Sequence, residues 1–316
     1  MSGQSINRTL DEGFYIGVDI GGTKTGVCIA NSEALIFQEV KFLTNAEPEV
    51  VIEDISKAIR LFISEYCGDL KAIGIICGGP LDANKGIIQS PPNLQKWIDI
   101  PIVSILQKQF NVPVYLQNDA NACALAEWRW GNGRGCKNMI FLTFGTGLGA
   151  GLILDGKLYN GHSGLAGEVG HIRISDHGSI CYGKEGSWES FCSGTGISQM
   201  YKEHFNEQLS AKEICRLAEQ GDRKALYIID ISASYLGKGL ALLMDILNPE
   251  RIIIGSIFTR SESLFKRSME ESIHNEALEQ TNRDCLVLPS LLGETLGNMA
   301  ALGLAISGSL DQEQLL

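Results

Sequence analysis

The sequence lacks what would place it in a membrane, outside the cell or on nucleic acid. No apolar run reaches the roughly 20 residues that cross a bilayer. The opening residues, through Asp11, are polar and carry no apolar signal-peptide core, as expected of a ragged N-terminus. No CxxC or CxC pair occurs. The nine cysteines are an odd number, scattered through apolar segments at positions such as Cys28, Cys77 and Cys123. That argues for reduced thiols and a cytoplasmic protein rather than a disulfide framework. Positive charge is in deficit: 26 Lys and Arg against 37 Asp and Glu give −11. An acidic chain whose basic clusters, Arg129–Arg134 and Lys266-Arg267, are short disfavours nucleic acid and anionic membranes as partners. No low-complexity linker interrupts it.

What is present is an α/β pattern, written twice. The 316 residues suggest about two domains. The opening segment predicts strands over Phe14–Val18, Gly26–Ala30 and Leu35–Phe42, then a helix over Val51–Tyr66 with its apolar positions on one face. A strand at Lys71–Cys77 ends in Gly78-Gly79-Pro80. A helix at Ile102–Phe110 and a strand at Val112–Gln117 follow, and Asn118-Asp119 opens an alanine-rich helix with an N-cap signal. From Asn138 the opening plan returns. A strand at Met139–Phe144 leads through Gly145-Thr146-Gly147 into Leu148–Leu154, and Asp155-Gly156 turns into a strand at Lys157–Tyr159. Helices are expected at Ile197–Phe205, Ala211–Gln220, Ala225–Leu247 and Ser261–His274, with strands Arg251–Ile254 and Cys285–Leu288 interleaved. A small-residue helix, Gly293–Ser307, comes last. The repeat implies two related α/β domains, 13–117 completed by the C-terminal helix 297–316, and 118–296, with the chain crossing near Gln117.

The chemistry starts at Asp19-Ile20-Gly21-Gly22-Thr23-Lys24, a strand, a glycine turn and a second strand. Glycines let backbone approach an anion closely, the threonine offers a hydroxyl, and the aspartate can hold a metal or water. The plainer alternative is an ordinary hairpin turn. Asp119 follows a strand, where a carboxylate can act on a ligand as general base, or it simply caps its helix. Glu168 and His171, three apart in a glycine-rich turn, can converge on a small polar ligand. His162, His171, His177, Cys181 and Cys192 raise the question of zinc, yet a structural site needs four ligands, usually cysteine-rich. Two imitations fail. Gly151–Lys157 lacks the Walker hydroxyl, since Leu158 follows, and Gly145–Gly151 leads into a strand where a dinucleotide fingerprint needs a helix.

Taken in order, six stretches resemble the ROK family of sugar kinases (repressor, open reading frame, kinase): Asp19–Lys24, Gly79-Pro80-Leu81-Asp82, Pro92-Asn93-Leu94 with Trp97, Asn118–Ala122, Gly145–Gly149 and Gly164–His171. The resemblance runs from about Phe14 to Ser307. It implies a two-domain actin-like, RNase H-like α/β fold of the sugar kinase type, with a cleft between the domains. It also implies roles. Asp19, Gly21, Gly22, Thr23 and Lys24 would form a first phosphate loop, with Asp19 near Mg²⁺, and Thr146 and Gly147 a second. Gly255 would lie near the adenosine of ATP, although Ser256 stands where the family has a second glycine. Gly79, Asn93, Asn118, Asp119, Glu168, His171 and Glu189 would bind sugar, with Asp119 the catalytic base. A homodimer is expected on the same ground.

One departure bears on the metal. The family's zinc loop runs CxCGxxGCxE after the zinc-binding histidine, and here the text is Cys181-Tyr182-Gly183-Lys184-Glu185-Gly186-Ser187-Trp188-Glu189. Ser187 replaces the last cysteine and another cysteine is missing, so no structural zinc is expected. The function implied is ATP-dependent phosphorylation of a hexose at the 6-OH. The alternatives are an N-acylated amino-sugar kinase, acting on N-acetylmannosamine or N-acetylglucosamine, and a sugar-responsive regulator without a DNA-binding domain.

Overall fold

The structure is a computed structural model that describes Arg8, Thr9 and residues 13–313, with side chains to residue 309. The rest of the polar N-terminal stretch lies outside the described residues. Along the chain, the principal elements of the first half are β1 (Phe14–Ile20), β2 (Lys24–Ala30), β3 (Ile36–Leu43), α1 (Pro48–Glu65), β4 (Leu70–Cys77), α2 (Ile102–Phe110), β5 (Val114–Asn118) and α3 (Asp119–Trp130). Next come β6 (Met139–Phe144), β7 (Leu148–Leu154), β8 (Lys157–Leu158), a hairpin of β9 (Ile180–Cys181) and β10 (Lys184–Glu185), then α4 (Trp188–Phe191), α5 (Gly194–Phe205), α6 (Ala211–Glu219) and α7 (Arg223–Leu247). The chain ends with β11 (Arg251–Ile254), α8 (Ile257–Glu276), α9 (Glu279–Asp284), β12 (Leu286–Pro289) and α10 (Leu296–Glu313).

The chain forms two compact units, one running to Ala126 and resuming at Thr295, the other Glu127–Glu294. The crossing therefore falls inside α3, nine residues beyond Gln117. The physical reason lies in Glu127. Its buried carboxylate accepts hydrogen bonds from Asn132 N, Ser290 Oγ and Leu292 N, all in the second unit.

In the first unit the sheet order is β3-β2-β1-β4-β5. The two hairpin pairings are antiparallel, whereas β1–β4 and β4–β5 are parallel. β1 is apolar on both faces because it is central, with strands on either side and buried throughout except at Asp19. α1 starts three residues earlier than the apolar pattern suggested. Pro48 occupies its first turn, where a missing N–H costs nothing, and Val51, Ile55, Ile59 and Phe62 are buried.

α10 needs its small residues. Gly17 and Gly74 are register partners in β1 and β4. A Cβ on Gly17 would come within 3.1 Å of Ala301 Cβ, and one on Gly74 would strike the Ala301 carbonyl oxygen. The glycine pair lets the helix lie directly against the sheet.

The second unit repeats the plan: β8-β7-β6-β11-β12, again two antiparallel pairings followed by two parallel ones. Its core includes Ile140, Leu142, Ile252, Leu236 and Phe265, with α7 packed along α8. By length and composition, α7 is the one helix among the described residues able to cross a membrane. Asp230 and Lys238 interrupt its apolar run, which is why no run of that length stands out in the sequence. More than half of the apolar stretch is buried in the unit's interior, the composition of a core helix.

Gly74→Ala should destabilise the protein by about 3 kcal/mol through overpacking against a backbone oxygen, read as a lower urea midpoint.

Candidate active site

Three parallel strands of the first unit end side by side. Asp19 lies near the end of β1, Gly78-Gly79 follows β4, and Asn118 closes β5 with Asp119 directly after it. Register pairs Asp19 with Ile76 and Cys77 with Asn118, so these residues share one sheet edge. The carboxyl ends of parallel strands are where open α/β sheets bind ligands.

The glycine turn joins this edge. Gly21 N–H donates to Lys24 O at 3.1 Å, and Thr44, just past β3, braces the turn by donating from Oγ1 to Gly21 O at 2.7 Å and from N to Thr23 O at 3.0 Å. A Cβ on Gly22 would stand 2.6 Å from Asn93 Cβ, so Asn93 sits directly against the turn. Lys24 is exposed at the start of β2.

The cap of α3 falls to Asn118, and Asp119 follows it as the first helical residue. Asn118 Oδ1 accepts Ala120 N–H at 2.9 Å, the N-cap bond of α3, with Asn121 N–H farther at 3.4 Å. Asp119 is the first helical residue, its Oδ1 accepting Ala120 N–H at 2.8 Å. The amide nitrogen of Asn118 stays uninvolved in the cap and lies 3.5 Å from where a Gly79 Cβ would be.

The electrostatics are unusual for two aspartates. Burial first, then the Asp119 charge, pushes the Asp19 carboxyl up from 3.8 to about 6, with Lys41 opposing and Glu39 adding to the rise. Burial raises Asp119 as well, against the Ala120 hydrogen bond. Both keep some accessible surface, but protein atoms ring them closely enough to displace most water. Lys41 is shared: its Nζ pairs with Glu39 Oε1 at 2.7 Å, and Glu39 in turn accepts Asn298 Nδ2 of α10 at 2.8 Å.

The second unit assembles the other residues around β7. Gly145 N–H donates to Gly147 O at 3.1 Å, closing the turn. Thr195, at the start of α5, donates from Oγ1 to Thr146 O at 2.9 Å. Gly167 has φ +92°, and a Cβ on it or on Gly170 would strike a β7 carbonyl, Ala150 O or Leu148 O. Both glycines thus let the Glu168–His171 turn lie on β7 beside the Thr146-Gly147 loop. Trp188, buried against Gly239 of α7, anchors α4 and so places Glu189. The Glu189 carboxylate is already engaged, accepting Leu148 N–H at 2.8 Å, Tyr182 O–H at 2.7 Å and Cys181 S–H at 3.3 Å. Gly255 N–H donates to Leu142 O at 2.9 Å, and the neighbouring Ser256 Oγ lies 3.5 Å from a Gly145 Cβ position. Ser256 holds φ 57°, ψ −113°, a conformation that suits glycine.

Of the expected residues, Asp19, Gly79, Asn93, Asn118 and Asp119 gather with the first turn, and Glu168, His171, Glu189 and Gly255 with the second. Sequence reasoning passed over Lys41, Thr44, Tyr182 and Lys184. The last two lie in the loop that departs from the family text, which was the available signal. Lys41 alternates with Glu39 on an edge strand and gave none.

Two outcomes follow. Asp19 is protonated more readily folded than unfolded, so the folded state binds more protons and stability falls as pH rises from 3.8 to about 6. Asp19→Asn should therefore raise the melting temperature more at about pH 7 than at about pH 4. Ser256→Gly should gain about 1 kcal/mol in urea unfolding by relieving backbone strain.

The sequence profile of the ROK family matches residues 15–307. A glucokinase of Halalkalibacterium halodurans is 31% identical over 85% of this chain and 88% of its own length. The xylose repressor of Bacillus subtilis is 29% identical over 93% of this chain and 76% of its own. A ROK family glucokinase from Streptomyces griseus, solved in complex with glucose and AMPPNP, superposes with a TM-score of 0.80 at 30% identity, covering 94% of this chain and all of the other. Its two α/β units with repeated strand order, its ordered motifs and these matches make the chain a member of the ROK family.

Proposed function

We propose that this chain is an ATP-dependent kinase that phosphorylates the 6-hydroxyl of a hexose, with Asp119 as general base. The observation that carries the reading is the meeting of Asp119, Asp19 and the Gly21–Thr23 turn at one sheet edge of the first unit. The likeness to glucokinases supports it. Asp119 would accept the hydroxyl proton as the sugar oxygen attacks the γ-phosphorus; the bond to the bridging oxygen breaks and ADP leaves. Burial raises the Asp119 carboxyl and so strengthens it as a base.

The other residues would position the reactants, which is most of what phosphoryl transfer requires. Gly21, Gly22, Thr23 and Lys24 would form one phosphate loop and Thr146 and Gly147 a second, and Gly255 would lie near the adenosine. Asn93, Asn118, Glu168 and His171 would bind sugar hydroxyls beside Gly79, with Glu189 held ready by its internal bonds. The family implies Mg²⁺, and Asp19 fits it: a carboxyl raised by burial and by Asp119 favours a cation, and magnesium commonly takes one or two carboxylates plus phosphate oxygens. When bound, the ion would neutralise charge on the transferring group. Among the described residues no cluster of three or more His, Cys, Asp and Glu gathers, so a protein-only metal cage is not part of this reading.

The match to a xylose repressor supports a second reading, a sugar-responsive regulator. Asp119 separates the two, because binding a sugar needs no base.

ADP release over a panel of hexoses and N-acylated amino sugars should show turnover with one sugar class. Turnover of none, with ATP still bound, would sink the kinase reading. Asp119→Asn should lower kcat by about 10³-fold while leaving nucleotide affinity unchanged; near-normal kcat would remove Asp119 as the base.

A further inference from the structure

The family resemblance raises a zinc ion at the loop after His171, and the residues present do not fit one. His171 Nδ1 lies 2.9 Å from Lys184 Nζ. An ammonium can only donate, so Nδ1 accepts, and its lone pair is occupied by a cation. Cys181 directs its S–H to the Glu189 carboxylate at 3.3 Å, so the one cysteine the loop retains is already engaged. Ser187, in place of the last cysteine, is wholly buried and caps α4 by accepting Ser190 N–H.

We propose that Lys184 replaces the metal as the positioning residue for His171, fixing the ring's orientation and tautomer for sugar binding. The inference rests on the kinase reading for the sugar, but not for the tautomer. Lys184 pairs with Cys181 across the β9–β10 hairpin, whose turn residues Tyr182 and Gly183 both take positive φ, 56° and 72°. That is the backbone of a two-residue type I′ turn, which fixes the strand register and hence the place of Lys184. The same turn sets the Tyr182 ring 4.8 Å from the His171 ring while its hydroxyl holds Glu189. One short hairpin therefore grips both sugar-facing candidates, His171 through Lys184 and Glu189 through Tyr182 and Cys181. With Nδ1 accepting from Lys184, the ring's hydrogen sits on Nε2. His171 is exposed, and Nε2–H becomes a donor aimed by the lysine toward a hydroxyl oxygen.

The test uses the full chain and variants Lys184→Met and Lys184→Arg. Long-range ¹H–¹⁵N spectra of the histidines, with His171 assigned from His171→Gln, should show the Nε2–H tautomer in the parent protein, a mixture in Lys184→Met and the parent pattern in Lys184→Arg. With the sugar that the parent phosphorylates, Lys184→Met should raise KM about tenfold, as loss of an outer-shell partner does, with nucleotide affinity unchanged and recovery in Lys184→Arg. Metal analysis should find zinc far below one per chain. An Nδ1–H tautomer in the parent, an unchanged spectrum and KM in Lys184→Met, or near-stoichiometric zinc overturns the proposal. If no sugar is phosphorylated, the kinase reading fails, while the parent's tautomer still decides the assignment of Lys184 even should Lys184→Met not fold.

Discussion

Asp19 and Asp119 are two carboxylates held near one another where protein atoms have displaced most of the water, with Lys41 as the counter-charge that opposes the rise at Asp19. Folding alone gives no reason to keep them there, because each charge raises the cost of the other. On the kinase reading proposed above, a cation with a triphosphate and a hydroxyl proton to accept would relieve that cost. The sheet order places the two carboxylates together. Only by running β1, β4 and β5 parallel and adjacent do Asp19, Gly79 and Asp119 arrive at one edge.

The rest of the first unit keeps that edge in place. Gly17 and Gly74 let α10 press on the sheet, and Asn298 of that helix ties to Glu39 and through it to Lys41. The counter-charge of the site thus belongs to the same packing that closes the fold. In the second unit the corresponding hub is the Glu189 carboxylate. It binds the backbone at Leu148, the Tyr182 hydroxyl and the Cys181 thiol, so the start of β7 and the β9–β10 hairpin are parts of one hydrogen-bonded set.

Much of this was legible in the residues. The long periodic or apolar segments came through nearly unaltered: β6, β7 and β11 fall where the pattern put them. The errors lie at ends and in short pieces. α1 begins at Pro48, α8 begins four residues before Ser261, and α9 went unseen, because six polar residues carry no apolar stripe. The tiny β9–β10 hairpin and the single-turn helix α4 were also missed, since neither is long enough to have a period. Those missed pieces carry Tyr182, Lys184 and Glu189.

The sequence by itself determined the repeated α/β plan, the two glycine turns, the family and the loss of the zinc cysteines, because each is a property of local spacing or of residue identity. Tertiary structure alone decided that the chain crosses between units at Glu127 rather than Gln117, and that Lys184 meets His171. The first depends on Glu127 reaching Ser290 and Leu292, far along the chain, and the second on the exact register of the β9–β10 hairpin, and neither leaves a trace in composition or periodicity.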